Sequence, residues 1–409
     1  MATRKMRWPD VFPGTNWLDG AEERALRSVV RRGAFFRYYG PRRPTHVGEL
    51  ERRAREFYGC RHALGVSSGT GALMVSMSAM GIGPGDEVIV PAFLWVSTVT
   101  AVVHANAIPV LCEVDDSFDM DPGDLERKIT PRTKLIVVVH MAGAPCDMGA
   151  IMAAAGRHGI DVLEDCAQCN GGSFGGRKVG MFGRAGIFSF QINKNATAGE
   201  GGLVVTDDEK LYWRLVAAHD VGVPWKNASP DAAAGVELWG QGRRLSELCG
   251  AVANIQLRKL PRIVAHMRAS NRRIRKALAG AGGLGFRRLN DEAGDTGPFL
   301  VLLLDSPQRA QQVTAAIRQG GYENVCRVAD YGLHVYFNIP SLVGKAPLSA
   351  AGNPWSLPAN AASRYDYARG ACPRSDELFD RGVIVTIPSR LTRQQEAALA
   401  GIIRHAVEA

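Results

Sequence analysis

The sequence predicts an α/β fold with a mostly parallel central sheet covered by helices, followed by a smaller C-terminal α/β domain. Three observations carry that prediction. Short runs dominated by Val, Ile and Leu recur between residues 49 and 206, separated by amphipathic stretches of helical period. Many of the 46 glycines cluster just after those runs, where the chain turns or passes close to a ligand. A length of 409 residues also exceeds what one small core organises. A large domain over 1–260 and a smaller one over 261–409 are therefore expected.

Taken in order, residues 49–58 read as helix, 63–66 as strand and 71–80 as helix. A strand at 87–90, a helix at 96–105 and a strand at 108–113 follow. The run 135–140, rich in Val, is a buried strand, with a helix at 148–158 and a strand at 161–163. Residues 186–190 and 203–206 complete the set. Continuous apolar strands alternating with amphipathic helices are the pattern of a parallel sheet buried on both faces. Residues 246–260 read as a helix that Pro261 should kink or break, since its ring removes a hydrogen-bond donor. The helical pattern resumes through 271–279, then gives strand 299–304, helix 306–319, strand 382–387 and helix 393–408. Thr392 and Gln395 form a capping box for that last helix. The Gly-, Pro-, Ala- and Ser-rich stretch 341–371 is either a substrate-binding loop or a surface insertion.

Composition narrows the function class. Residues 1–14 carry charge with no apolar core behind them, so no signal peptide is expected. The longest apolar runs, 135–139 and 299–304, have the length of strands and fall far short of a membrane span. A soluble cytoplasmic protein without a membrane partner follows as the expectation. Eight cysteines in a chain this long do not make a disulfide scaffold. Cys166 and Cys169 form a C-x-x-C, but the sequence offers no second pair or histidine cluster beside it, so no metal is expected. The net charge is +9, yet Arg and Lys are interspersed with acids rather than gathered into a stripe. That pattern predicts no nucleic-acid partner; a solvated basic surface and attraction of anionic substrates both fit it.

In open α/β sheets, ligands gather outside the carboxyl ends of the strands. Four segments there carry polar residues. Residues 65–71, G-V-S-S-G-T-G, lie between a strand and a helix, and Ser68, Gly69 and Thr70 suit a phosphate at a helix N-terminus. Residues 161–168, D-V-L-E-D-C-A-Q, place Glu164 and Asp165 at the end of a buried strand, where an ionised acid needs a partner. Asp165 either faces a protonated ring nitrogen or serves as a cap or salt bridge. Residues 188–202, F-S-F-Q-I-N-K-N-A-T-A-G-E-G-G, lead from a strand into a polar loop with a single lysine, Lys194. Partial burial would lower its pKa, as imine chemistry requires. Residues 91–95, P-A-F-L-W, offer Trp95 either to stack on a planar ring or to pack in the core.

Together these segments resemble the DegT/DnrJ/StrS family of pyridoxal-5'-phosphate (PLP)-dependent sugar aminotransferases, of fold type I. The motifs run in order from about residue 30 to 260 and include I-T-P-R-T-K at 129–134, H-M-A-G at 140–143 and R-L-S-E-L at 244–248. The resemblance implies that Lys194 is the Schiff-base lysine and that Asp165 pairs with the pyridine nitrogen. It further implies that Ser68, Gly69, Thr70 and Ser189 hold the phosphate, that Trp95 stacks on the ring and that Gln168 contacts its hydroxyl side. The implied reaction is ping-pong aminotransfer from an amino acid, with glutamate the expected donor, to a keto-sugar or related polyol ketone. The implied assembly is a homodimer with shared active sites. Arg37, in F-F-R-Y-Y, and the segment C-P-R-S-D at 372–376 look similar to the branch that aminates an octulosonate sugar, while His334 and Tyr336 lie where the small domain approaches substrate.

This chain departs from the family where G-x-N-x-R-M normally precedes S-E-L: Gly242 stands in place of the Asn that reaches the partner's phosphate. Arg243, a backbone group, or no group at all takes over that contact. Competing expectations are another lysine-based PLP reaction on a sugar and a non-catalytic regulatory or DNA-binding protein on the same scaffold. Related sugar dehydratases carry His where this chain has Lys194.

Overall fold

The computed structural model describes residues 6–224 and 236–409; residues 1–5 of the N-terminal segment lie outside the described residues. The expected sheet is present, with seven strands: β1 (His62–Val66), β2 (Glu87–Pro91), β3 (Ile108–Cys112), β4 (Thr133–Val139), β5 (Asp161–Asp165), β8 (Ala185–Ser189) and β9 (Gly202–Thr206). A short hairpin, β6 (Ser173–Phe174) with β7 (Arg177–Lys178), lies between β5 and β8. The order across the sheet is β1-β9-β8-β5-β4-β2-β3. Strands β8, β5, β4, β2 and β3 pair in parallel, whereas β9 runs antiparallel to both of its neighbours.

Side chains alternate between two cores, as strand geometry requires. On β4, Leu135, Val137 and Val139 join Leu73 and Met77 of α3 (Gly69–Met80) on one face. Ile136 and Val138 join Met148 and Ile151 of the helix Met148–His158 on the other. Helices therefore cover both faces, and the backbone amides of the central strands are satisfied within the sheet. A second, antiparallel sheet has the order β10-β11-β13-β12, from β10 (Gly285–Phe286), β11 (Phe299–Leu303), β12 (Val325–Arg327) and β13 (Gly382–Thr386). The helices Pro307–Gln319 and Arg393–Glu408 pack on it through Val313, Ile317, Leu399 and Ile403, and the Thr392–Gln395 capping box is formed.

Of the kink or break expected at Pro261, the break is corrected. Pro261 does not break its helix: Glu247–Leu278 is continuous over 32 residues, and position 260 lies inside it. Leu257, Leu260, Ile263, Val264 and Met267 form a buried stripe across the proline. Each such side chain contributes roughly 1.5–3 kcal/mol on burial. Their sum exceeds the ~3 kcal/mol that an interior proline costs.

The stretch 341–371 packs at the amino ends of β2 and β3. The Gly85 N–H donates to Asn360 Oδ1 at 2.6 Å, and Ser363 and Tyr365 donate to Glu87, the first residue of β2. The Tyr367 hydroxyl donates to the Pro109 carbonyl at 2.8 Å. This is the edge away from the strands' carboxyl ends, so the stretch is an anchored insertion that does not line this chain's own cavity.

Candidate active site

The four segments singled out in the sequence converge on one cavity of about 460 Å³ at the carboxyl ends of β1, β2, β5 and β8. Ser68, Gly69, Thr70, Trp95, Asp165, Gln168, Ser189, Lys194 and His334 all line it.

Ser68 is the N-cap of α3; its hydroxyl accepts from the Gly71 N–H at 2.9 Å and ties off one of the helix's free donors. The first turn of α3 carries no acidic side chain, so the positive end of the helix dipole is left for an anion. The turn is tightly packed. A Cβ on Gly69 would lie 2.8 Å from the Ser189 Cβ, and one on Gly202 would lie 2.4 Å from the Ser68 carbonyl oxygen. Small residues therefore draw β1, β8 and β9 together beneath the cradle. The Thr70 hydroxyl hydrogen-bonds Ser97 at 2.7 Å.

The two acids of β5 separate by strand alternation. Glu164 points away from the cavity and accepts the N–H groups of Gly180, Phe182 and Gly183 at 2.6–2.8 Å. His140 Nε2 lies 3.1 Å from Glu164, and His140 Nδ1 accepts from the Cys146 N–H, which fixes the imidazole proton on Nε2. The fold thus brings a histidine beside Cys166, a neighbour the sequence did not reveal. In this arrangement Glu164 and His140 serve as hydrogen-bond anchors. Cys166 and Cys169 are buried free thiols.

Asp165 lines the cavity. It accepts from the Thr98 hydroxyl and the Ala167 N–H, both at 3.1 Å. Burial pushes its pKa up, and the Ala167 N–H, Lys194, Thr98 and His140 oppose that shift. Lys194 borders the same cavity and is partly buried. Burial holds its pKa below that of a free lysine, and the Asp165 charge works against the shift. The lysine loop is pinned by the N-terminal segment: the Gly14 N–H donates to the Lys194 carbonyl at 3.1 Å. That segment also reaches the smaller sheet, where the Trp8 indole donates to the Gly321 carbonyl and Ser389 donates to the Pro13 carbonyl.

Three rings stand at the cavity wall. Trp95, 38% exposed, lies 4.6 Å from the His334 ring, which stacks on Tyr331 at 4.2 Å. His334 Nδ1 donates to the Tyr331 carbonyl at 3.0 Å, leaving Nε2 as a bare acceptor. Burial pulls the His334 pKa down to about 4, so the ring is neutral at physiological pH.

The structure does not bring every expected residue to the cavity. Arg37 is buried elsewhere, donating to Glu51 at 2.6 Å and to the Gly65 carbonyl at 2.7 Å. Tyr336 is fully buried, with its hydroxyl on Asp376. Within 372–376, Arg374 and Ser375 bond Glu113 and Asp121, which ties that segment to the large sheet. Gly242 is left-handed (φ +64°) and surrounded by open space. The Arg243 guanidinium packs on Met74 Sδ, and its carbonyl accepts the Ser67 N–H at 2.8 Å. Residues the sequence reading missed include Thr98, Tyr331, Val11 and Pro13. Thr98 was legible in principle, since it lies one helical turn beyond Trp95; Val11 and Pro13 carry no motif.

Comparison with known proteins agrees with this fold. The sequence profile of the DegT/DnrJ/EryC1/StrS aminotransferase family matches residues 18–403. A relative from Streptomyces kanamyceticus, named L-glutamine:2-deoxy-scyllo-inosose aminotransferase, is 34% identical over 96% of this chain and 89% of its own. Among solved structures, S. venezuelae DesV in complex with a ketimine intermediate superposes with a TM-score of 0.80 at 26% identity, covering 100% of both chains. An aminotransferase from Psychrobacter cryohalolentis gives 0.81 at 25% identity, covering 98% of both.

Proposed function

The chain belongs to the DegT/DnrJ/EryC1/StrS aminotransferase family, and from that membership we propose that it aminates an uncharged polyhydroxylated ketone, a cyclitol or free keto-sugar, using PLP. The donor is an amino acid. The sequence reading favours L-glutamate, whereas the name of the Streptomyces relative carries L-glutamine.

One observation carries the substrate class. Among the described residues that line the cavity, Lys194 is the only lysine or arginine. The rest of the polar lining is neutral or acidic, with Asp165 and Glu200 as its carboxylates and Gln168, Gln191, Tyr331 and His334 among its neutral groups. Hydroxyl groups are matched by neutral donors and acceptors of this kind, whereas the carboxylate of the amino-acid donor, which uses the same cavity, is left to Lys194, to backbone N–H groups or to the partner subunit.

The cavity residues fit PLP. The acid-free N-terminus of α3, with Ser68, Gly69, Thr70 and Ser189, supplies a phosphate cradle that a single Cβ would fill. Trp95 offers an indole face to the ring, Gln168 an amide to its hydroxyl side, and Asp165 a carboxylate to its nitrogen. When bound, PLP supplies a ring that accepts the electrons of the substrate carbon. Asp165, in its low-dielectric setting, keeps a proton on the facing nitrogen, and Thr98 holds the carboxylate in position. Lys194, with its pKa drawn down, has a neutral fraction that would take a proton from the substrate carbon and deliver it to the carbon on the cofactor side, the shift that aminotransfer needs. His334 Nε2 accepts a substrate hydroxyl. Donor and acceptor use the same cavity in turn, so the kinetics are ping-pong.

We further propose a homodimer with sites shared between subunits, supported by Trp239 at 93% exposure and by exposed Val221, Val223 and Tyr39. The division into a large and a small domain near residue 260 is likewise a proposal, supported by the two sheets on either side of the helix Glu247–Leu278.

The test is a steady-state assay with L-glutamine and L-glutamate, each against a neutral cyclitol ketone and a phosphorylated ketone. Turnover of the neutral ketone with parallel double-reciprocal lines is expected. Turnover confined to the phosphorylated ketone would overturn the substrate class.

A further inference from the structure

The turn Met141–Gly143 that follows β4 is held from the smaller domain. Arg287 follows β10, and its N–H donates to the Val301 carbonyl of β11. Its side chain is buried, at 3% exposure, and reaches across to the large domain. There Nη1 donates to the Met141 carbonyl at 3.1 Å and Nη2 to the Ala142 carbonyl at 2.7 Å. Thr296 completes the set, giving both its N–H and its hydroxyl to the Gly143 carbonyl, at 2.9 and 3.0 Å. Three successive carbonyls therefore accept from residues of the other domain. A buried guanidinium is retained at a high desolvation cost, and among the described residues none of Arg287's charged nitrogens lies within ion-pair distance of a carboxylate. Its hydrogen bonds go to this turn.

The turn it holds is strained. Ala142 is left-handed (φ 52°, ψ 37°), a conformation that costs an alanine about 1 kcal/mol or more. That conformation aims the Ala142 N–H at Gln168 Oε1, 3.0 Å away. Only the oxygen of an amide accepts, so this bond fixes which way Gln168 faces and leaves its NH₂ as the free end in the cavity.

We propose that Arg287 is a positioning residue for Gln168: by fixing the left-handed turn at Ala142 it turns the Gln168 amide so that its NH₂, and not its oxygen, meets the hydroxyl oxygen of the cofactor ring. The inference rests on the PLP reading above. It also places the smaller domain in control of one side of the cofactor site, through side chains that never touch the ligand.

A donor at the ring oxygen stabilises its anionic form and lowers the pH at which the visible band of the PLP-loaded protein titrates. The experiment measures that midpoint, together with PLP dissociation, for the native protein, Arg287→Met, Gln168→Ala and the double variant. Arg287→Met and Gln168→Ala should each raise the midpoint and each weaken PLP retention by about tenfold, the scale of one hydrogen bond to a charged group. The double variant should match Gln168→Ala alone, because Arg287 acts through Gln168. Arg287→Lys keeps a positive charge to act, beyond ion-pair distance, on the buried carboxyls of Asp119 and Asp295, but offers one nitrogen to two carbonyls, so a smaller shift in the same direction is expected even if Arg287→Met fails to fold. Losses that multiply in the double variant, or an unchanged midpoint in Arg287→Lys and Arg287→Met, would overturn the proposal while leaving the PLP reading intact. A native protein that develops no visible band would overturn both.

Discussion

The Thr98 hydroxyl donates to Oδ2 of Asp165 at 3.1 Å, across 67 residues of sequence, and is the side-chain bond that holds the buried carboxylate in the cavity. Thr98→Val removes a bond that favours the charged form, so the Asp165 pKa, already pushed up by burial, rises further. The acid limb of the kcat/KM profile should move to higher pH, and kcat should fall by about tenfold. Thr98→Ser should restore both. A pH–rate profile of the three proteins checks this.

The Gly69 backbone has no room for a side chain. Its added Cβ would meet the Ser189 Cβ at 2.8 Å, and Ser189 sits on a buried strand that cannot retreat. Gly69→Ala should weaken PLP binding by tenfold or more and cost about 1–3 kcal/mol of stability. Gly81→Ala serves as the control: that glycine closes the same helix in a left-handed conformation with open space around it, so the substitution strains the backbone there without touching the cavity. Fluorescence titration with PLP and thermal melts separate the two effects.

How much of this was legible in sequence differs by residue. Lys194, Asp165 and Ser68–Thr70 follow strands recognisable as continuous apolar runs, and in a parallel sheet every carboxyl end lies on one side. Their convergence was therefore a consequence of topology. The distinction between Glu164 and Asp165 was implicit in strand alternation but needed the turn at 180–183 to show which face was already satisfied. Pro261 misled because local propensity was outweighed by a buried stripe on both sides of it. Arg37 was placed by analogy of a short segment and Tyr336 by its place in the family's small domain, and nothing local in the sequence reveals that Glu51 and Asp376 take up their polar atoms. The left-handed Ala142 was invisible for the same reason: its cause lies 145 residues away, in Arg287.

Acid stability provides an independent check on the buried histidines. His219 accepts from the Tyr38 hydroxyl on Nε2 and donates from Nδ1 to the Val216 carbonyl. Burial, aided by Arg37, lowers its pKa to about 3, and burial lowers that of His334 to about 4. Both folded values lie below the unfolded value of about 6.5. The stability that neutral burial contributes is therefore present above pH 6.5. It is lost as pH falls toward 4 and 3, at up to about 1.4 kcal/mol per pH unit for each histidine. His219→Gln should lower the melting temperature at pH 7 and flatten its decline between pH 6.5 and 4. An unchanged acid slope would remove His219 from this account.

The placing of Lys194 and Asp165 on one cavity is tested most directly by the visible absorption spectrum of the purified protein mixed with PLP, before and after addition of L-glutamine or L-glutamate. We predict a visible band in the native protein that Lys194→Ala abolishes and that at least one donor converts to a near-ultraviolet band. A native protein without a visible band, or one whose band survives in Lys194→Ala, would contradict the assignment of Lys194 and the aminotransfer built on it.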